Sequence, residues 1–269
     1  GSSVRFANEI VPFDSLEAVI IEAGKILKGF YGKSLEREFK SGGSFATEAD
    51  LAAESYLIEH LKALLPGSGV WAEESGNQLD DASQDLYWVI DPLDGTNNFA
   101  QNIPFSCISV ALVKQKQLAI GLIYDFHREE MFVASQGNGA YLNGNPIQVS
   151  RHRDLDRAMI AAPMAYKGDV STEVRHLFWD CIQRVDKRCM SIRVLGAAAL
   201  DIAYVACGRF DGIFIDNLYW WDVAAGALLI QEAGGVVSTY EGNPIDSSFK
   251  SLVGGSEQLH HQLKELLDK

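Results

Sequence analysis

The sequence contains few cysteines, fewer basic than acidic residues, and no long apolar run. Its four cysteines are widely spaced and form no Cys-x-x-C pair, so they are predicted to be reduced, mostly packed thiols rather than a disulfide framework. No secretory leader is recognised, and a cytoplasmic location is expected. The longest apolar stretches are interrupted by charges or glycine well before they could cross a bilayer, so no membrane contact is expected.

The charge balance is strongly acidic. Lysine and arginine total 23, aspartate and glutamate total 36, and the net charge is -13 with a pI near 4.9. Binding to nucleic acid requires a basic surface that displaces counterions, so no nucleic-acid partner is expected. Clustered acidic groups would attract cations instead. Hydrophobic residues make up 47% of the 269 residues, enough to give one large domain or two medium ones a sizeable core.

Two halves, residues 1–150 and 151–269, are predicted on either side of a polar stretch at 150–157. In the first half, helical periodicity at 14–32 and 48–65 precedes short strands that are separated by tight turns. This half is expected to be α+β with an antiparallel meander. In the second half strands alternate with helices, which is typical of an α/β arrangement.

The stretch Trp88–Ala100 is predicted to be the centre of the chemistry. Val89 and Ile90 are β-branched and favour a strand. Pro92 lacks an amide donor and pushes Asp91 into an extended conformation, so the strand is predicted to stop at Asp91.

A turn rich in carboxylates follows this strand. Asp94 and Gly95 supply turn chemistry, and Thr96 or Asn97 can cap a short helix. The first amides of such a helix would point back towards whatever the aspartates hold. This geometry suits a phosphate group beside metal ions.

Four carboxylates are candidate metal ligands. Asp91 and Asp94 bracket one turn, Glu73 ends the preceding short strand, and Asp222 begins a later helix. Mg²⁺ prefers carboxylate oxygens, water and substrate phosphate, and a two-metal site can activate a water and stabilise a leaving oxygen. Each residue alone also has an ordinary explanation: a surface turn for Asp91 and Asp94, a solvated strand end for Glu73, and a helix N-cap for Asp222.

Two longer motifs favour the metal site over these ordinary explanations. The first is Asp91-Pro92-x-Asp94-Gly95-Thr96-x-Asn98-Phe99, and the second joins Trp221-Asp222-x-Ala224-Ala225-Gly226 to Glu232-Ala233-Gly234-Gly235. Together they resemble the inositol monophosphatase family of magnesium-dependent, lithium-sensitive sugar phosphatases, over nearly the whole chain. The resemblance implies a layered α-β-α-β-α sandwich of the inositol monophosphatase/fructose-1,6-bisphosphatase type, and a homodimer.

The resemblance also implies a ligand set for two or three Mg²⁺ ions. Glu73, Asp91, Asp94 and Asp222 would supply carboxylates, with Asp91 bridging two ions, and Leu93 would supply its backbone carbonyl. A metal-activated water would attack phosphorus directly, so no covalent phosphoenzyme and no nucleophilic serine, cysteine or histidine is required.

Two further catalytic roles are carried over from the family. The Thr96 hydroxyl and Glu73 would position the attacking water. Asp50 would support Thr96, and the segment Thr47-Glu48-Ala49-Asp50 equally reads as a capping box on the second helix.

The substrate contacts implied by the resemblance surround the same turn. Asp94 and the amides of Gly95 and Thr96 would contact the substrate and its phosphate, and Lys40 resembles a family lysine near the site. The segment Gly196-Ala197-Ala198 resembles one that lines the sugar or inositol pocket at a helix start, although Ala197 lacks the usual hydroxyl.

One substrate position departs from the family pattern. Family members place a substrate-binding glutamate seven positions before the aspartate at 222, where this chain has Ile215. Asp216 could replace it only if the strand end shifts by one residue, because adjacent strand residues face opposite sides. The departure puts myo-inositol in doubt as the preferred substrate.

The predicted function is therefore a magnesium-dependent phosphomonoesterase for inositol monophosphate or a related small polyol or sugar phosphate. Alternatives within the superfamily are phosphatases for fructose 1,6-bisphosphate, NADP, histidinol phosphate or 3′-phosphoadenosine 5′-phosphate; the last commonly has a Lys-Glu pair where this chain has Asn97-Asn98. A non-catalytic binding protein on this fold is the alternative of another class. An intact set of carboxylates argues against it.

Overall fold

The computed structural model describes residues 10–33, 38–39, 45–46, 48–79, 84–151, 154–164 and 170–268. The helices are α1 (Phe13–Phe30), α2 (Glu48–Leu64), α3 (Thr96–Ala100), α4 (Thr172–Asp186), α5 (Ala198–Ala206), α6 (Trp220–Glu232) and α7 (Glu257–Leu267). A short 3₁₀ turn covers Leu155–Arg157. The strands are β1 (Glu38–Phe39), β2 (Phe45–Ala46), β3 (Gly69–Ala72), β4 (Gly76–Asn77), β5 (Leu86–Asp94), β6 (Cys107–Lys114), β7 (Gln117–Asp125), β8 (Glu130–Ser135), β9 (Ala140–Leu142), β10 (Asn145–Pro146), β11 (Met159–Ala161), β12 (Ser191–Arg193), β13 (Gly212–Asp216), β14 (Val236–Ser238) and β15 (Ser251–Gly255).

The strands form two large sheets. The eight-stranded sheet has the order β10-β9-β8-β7-β6-β5-β3-β4. Strands β6 to β10 form the predicted antiparallel meander, and β5 pairs antiparallel with β6. Within this sheet β3 and β5 are parallel, so the carboxyl ends of these two strands lie on the same side of the sheet. The five-stranded sheet has the order β12-β11-β13-β15-β14, with parallel pairs on one side and antiparallel pairs on the other.

Five layers result from the way the helices cover these sheets. Helices α1 and α2 pack on one face of the large sheet, α5 and α6 fill the space between the sheets, and α4 and α7 cover the outer face of the small sheet. Successive side chains of β5 lie on opposite faces of the sheet. Trp88 and Ile90 therefore pack in the core beneath α1 and α2, and Val89 packs in the core between the two sheets. The predicted α-β-α-β-α sandwich is confirmed.

The predicted end of the strand at Asp91 is wrong. Strand β5 continues to Asp94, which pairs with Cys107, and the pairing is irregular between Asp91 and Asp94. Pro92, which has no N–H to donate, falls within this irregular step. Strand β5 therefore contains both aspartates, and the irregular pairing lies between them.

The predicted cap of the short helix also differs from the structure. The N-cap of α3 is Gly95, with φ of 86°, and a glycine has no side chain with which to cap the helix. Thr96 and Asn97 are instead its first two residues. Glycine adopts this left-handed conformation without the steric penalty that a side chain would bring.

The two-half division of the chain stays a prediction. The large sheet lies within 69–146 and the small sheet within 159–255, yet α5 and α6 from the second half pack against strands of the first. All four cysteines are free. Within the described ranges, no helix combines the length and the apolar character needed to cross a bilayer.

Candidate active site

Three buried aspartates meet where β5 ends and α6 begins. Asp91, Asp94 and Asp222 each place one carboxylate oxygen within 4.8 Å of the others. Their side chains are 1% exposed or less. Asp91 follows Val89 on the face of β5 that looks towards α6, so the strand alternation explains how residues far apart in sequence come together.

Glu73 lies beside this cluster, as its predicted role requires. Its amide donates to the carbonyl of Ile90 (3.1 Å), which extends the β3–β5 pairing by one residue. Burial raises the pKa of Asp91 well above its usual range, and the charges of Glu73, Asp94 and Asp222 together with a hydrogen bond to Glu73 raise it further. The groups that shift this pKa are themselves carboxylates.

The arrangement of charge suits a cation. Two unit charges 4.8 Å apart repel by about 3.5 kcal/mol at an effective dielectric constant near 20, so three ionised aspartates at this separation require a counter-charge or a proton. All the donors are oxygens, which is the donor set that Mg²⁺ selects. The residues present therefore fit the predicted metal.

The ordinary explanation of Asp222 as a helix N-cap is wrong, because the N-cap of α6 is Tyr219. Asp222 is the third residue of α6, and its Oδ2 accepts a hydrogen bond from the amide of Tyr219 (2.9 Å). This contact holds the carboxylate in one orientation at the helix start. Asp222 accordingly contributes to the helix terminus and to the aspartate cluster at once.

Asp94 connects the turn to a second helix. Its Oδ2 accepts a hydrogen bond of 2.7 Å from the amide of Ala199 in the first turn of α5. The segment Gly196–Ala198 is thereby held against the aspartates, where the sequence predicted a substrate contact. A Cβ atom on Gly95 would lie 3.0 Å from that of Ala197, so the two segments touch and a side chain at Gly95 would force them apart.

Asn98 is a site residue whose role the sequence did not predict. Its amide nitrogen donates to the carbonyls of Phe105 and Leu195, each at 2.9 Å. The second of these contacts fixes the peptide just before Gly196. The position of Asn98 in the first motif was the sequence feature that could have indicated a role. Its partner Leu195 lies 97 residues away, and no local sequence pattern identifies that contact.

Thr96 and Asp50 are in contact, as predicted. The Thr96 hydroxyl lies 3.2 Å from Oδ1 of Asp50 and 3.1 Å from the carbonyl oxygen of Leu93. Asp50 is fully buried in α2, and Leu93 is the residue whose carbonyl was predicted to bind metal. The catalytic roles of Thr96 and Asp50 and the metal-binding role of Leu93 stay predictions.

The condition on which Asp216 could replace the family glutamate is not met. Pairing between β13 and β15 runs without a shift from Gly212 to Asp216. Ile215 is 1% exposed and belongs to the core between the sheets, so Asp216 lies on the opposite face. Burial raises the pKa values of Cys181 and Tyr240, which lie on the α4 side, and the charge of Asp216 raises them further. Lys40 and Thr47 lie outside the described residues.

Comparison with known proteins gives one family. A family model described as "Inositol monophosphatase family" matches residues 11–269. An "Inositol-1-monophosphatase" of Synechocystis sp. is 35% identical over 92% of this chain and 85% of its own length. A protein of Escherichia coli (strain K12) named "Nus factor SuhB" is 39% identical over 84% of this chain and 83% of its own.

A solved structure extends the similarity to three dimensions. The extragenic suppressor protein suhB from Bartonella henselae superposes with a TM-score of 0.88 at 34% identity, covering 95% of this chain and 98% of that one. The match spans both sheets and therefore both parts of the aspartate cluster. With its two motifs, its layered fold and its converging carboxylates, the chain belongs to the inositol monophosphatase family.

Proposed function

We propose that this protein is a magnesium-dependent phosphomonoesterase that hydrolyses inositol monophosphate or a related small polyol or sugar phosphate. The observation that carries the proposal is the meeting of Asp91, Asp94 and Asp222 within 4.8 Å, at the strand end that leads into helix α3. Glu73, the three aspartates and the Leu93 carbonyl would hold two or three ions. Magnesium, when bound, supplies positive charge for phosphate oxygens and acidifies water.

The protein's own residues have the remaining tasks. The Thr96 hydroxyl has one proton, which it can donate to Asp50 or to the Leu93 carbonyl. Its oxygen then keeps its lone pairs for the proton of an attacking water, and Glu73 would orient that water from the other side. The amides of Gly95 and Thr96 would bind phosphate, while Gly196–Ala198 and Lys40 would line the space for the leaving group.

The residues favour no single leaving group, because Ile215 has no polar group at the position where family members have a substrate-binding glutamate. A relative of this protein from Synechocystis sp. is named "Inositol-1-monophosphatase", which favours inositol monophosphate as the first substrate to test. Fructose 1,6-bisphosphate, NADP, histidinol phosphate and 3′-phosphoadenosine 5′-phosphate are the alternatives. Release of phosphate from each, at one fixed Mg²⁺ concentration, ranks them.

The decisive experiment measures metal-dependent turnover against a matched inactive variant. We expect phosphate release with Mg²⁺, none after chelation, and none from Asp91→Asn, which keeps the side-chain shape and loses a carboxylate. Equal release by the wild-type protein and Asp91→Asn would mean that the activity comes from elsewhere. Absence of metal-dependent release on every ester would refute the enzymatic function.

A second candidate is a non-catalytic binding role on the same fold. The relatives named "Nus factor SuhB" favour including it, whereas the net charge of -13 opposes direct contact with nucleic acid. The Asp91→Asn variant separates the two candidates. A cellular function that this variant still supports would belong to the binding role.

A cytoplasmic homodimer and inhibition by lithium complete the proposal. Leu177, Trp179 and Met190 are between 48% and 56% exposed, and a homodimer that covers them would bury apolar surface. Light scattering coupled to size exclusion measures the mass in solution. Lithium titration of the turnover assay tests the inhibition.

A further inference from the structure

We propose that Glu54, which lies outside both motifs, is a positioning residue that fixes Glu73 for metal binding. The inference rests on the proposed function, since it assigns a task to a neighbour of the metal ligands. Glu54 belongs to α2 and is 4% exposed. Buried glutamates are rare unless a partner holds them.

The partner of Glu54 is the peptide that follows Glu73. Oε1 of Glu54 accepts a hydrogen bond of 2.8 Å from the amide of Glu74, and a hydrogen bond with the Ser75 side chain adds to it. On its other side the Glu73 amide donates to the carbonyl of Ile90. Glu73 is therefore held between two backbone contacts, one from strand β5 and one from helix α2.

A second carboxyl group of helix α2 contacts another predicted site residue. Asp50 is four residues before Glu54, so the two carboxyl groups lie one helical turn apart. Asp50 contacts the Thr96 hydroxyl and Glu54 contacts the Glu73–Glu74 segment. Helix α2 thus contacts both Thr96 and the segment that carries Glu73, the two residues proposed to orient the attacking water, and so sets the distance between them.

The carboxyl group of Glu54 is costly to bury as a charge, and its acceptor oxygen is what an apolar side chain could not replace. Burial raises the pKa of Glu54 to about 7, although the hydrogen bonds from Glu74 and Ser75 lower it, and the charges of Glu74 and Glu73 raise it further. An apolar side chain would fill the same space without this cost. What it would not supply is an acceptor for the Glu74 amide, and unpaired buried amides cost about 1–3 kcal/mol.

The test measures Mn²⁺ binding directly, by loss of the free-ion electron paramagnetic resonance signal, so that no substrate is needed. Mn²⁺ takes the same oxygen ligands as Mg²⁺. Two variants are compared with the wild-type chain: Glu54→Gln, which keeps an acceptor, and Glu54→Met, which keeps the volume and loses the acceptor. Glu130→Ala is the structural control, because Glu130 is paired with Arg209 and belongs to strand β8.

We expect Glu54→Met to bind Mn²⁺ about tenfold more weakly, as is typical when a partner that orients a ligand is lost. Glu54→Gln should bind like the wild-type chain. Glu130→Ala should lower the melting temperature and leave Mn²⁺ affinity unchanged. The same pattern in the Mg²⁺ concentration for half-maximal turnover would support the proposal further.

Three outcomes would overturn the inference. Equal weakening in Gln and Met variants would show that the charge of Glu54 matters and its acceptor geometry does not. Unchanged binding in Glu54→Met, or weakening in Glu130→Ala as large as in Glu54→Met, would remove the positioning role. Failure of the wild-type chain to bind Mn²⁺ would instead overturn the proposed function, and this inference with it.

Discussion

Asp216 is a half-buried carboxyl at the end of β13, and its Oδ1 is buried with no hydrogen-bond partner among the residues that the structure describes. Burial raises the pKa of this group from 3.8 to about 6. The folded state therefore favours the protonated form more than the unfolded state does. The stability that this protonation contributes is fully present below pH 3.8 and is lost as the pH rises through about 6.

We predict that Asp216→Asn stabilises the protein at pH 8 and has little effect at pH 4. A shift of this size corresponds to about 3 kcal/mol in full, and screening of a partly exposed group by water reduces the expected gain to about 1 kcal/mol. Urea unfolding at several pH values measures it. Asp180→Asn, on the exposed side of α4, is the control, and the same pH profile for both variants would contradict the prediction.

Gly226 shows how closely the helices between the two sheets approach each other. It lies in α6, and a Cβ atom placed there would be 2.8 Å from Cβ of Ile202 in α5. A clash with a Cβ cannot be relieved by rotating a side chain, so the helices themselves would have to separate. This contact lies in the layer that carries both Asp222 and the Asp94–Ala199 hydrogen bond.

We predict that Gly226→Ala destabilises the fold by about 1–2 kcal/mol, since overpacking costs about 1–3 kcal/mol and alanine returns up to about 1 kcal/mol of helix propensity. Thermal unfolding measures the net change. Gly29→Ala is the matched control, because Gly29 lies in α1 and, within the described part of the chain, the added Cβ would have no atom within 4 Å apart from its chain neighbours and the backbone of its own helix. This substitution should stabilise the protein. The cost of Gly226→Ala should also shrink in an Ile202→Ala background; an undiminished cost there would rule out this contact as the cause.

At the scale of the whole molecule, local patterns and contacts across the layers differ in how far a sequence predicts them. The helices, the meander and the motif at Asp91–Thr96 follow from periodicity, turn residues and resemblance, and the structure confirms the layered fold. The continuation of β5 to Asp94 does not follow from the local sequence, because pairing with Cys107 outweighs the effect of Pro92. The contacts of Glu54 and Asn98 were also missed, since they join residues 20 and 97 positions apart and leave no periodic signal.

Metal binding should stabilise the whole fold, because the charges it neutralises belong to both halves of the chain. Asp91 and Asp94 end a strand of the large sheet, while Asp222 begins a helix that packs between the sheets. Without a cation, their mutual repulsion opposes the packing of these layers. A ligand at one hundred times its dissociation constant stabilises the folded state by about 2.7 kcal/mol, which corresponds to about 5–10 °C in melting temperature at this chain length.

We predict this rise for the wild-type protein on adding saturating Mg²⁺, measured by calorimetry. Asp91→Asn should melt higher than the wild-type protein in chelator, because asparagine has neither a charge to bury beside Glu73, Asp94 and Asp222 nor a proton to take up in order to avoid that charge, and should show little further rise with Mg²⁺. An equal Mg²⁺-induced rise in both proteins would place the bound ion elsewhere on the acidic surface. A lower melting temperature for Asp91→Asn in chelator would mean that the Asp91 carboxylate stabilises the fold without its metal, which buried like charges at this separation should not do.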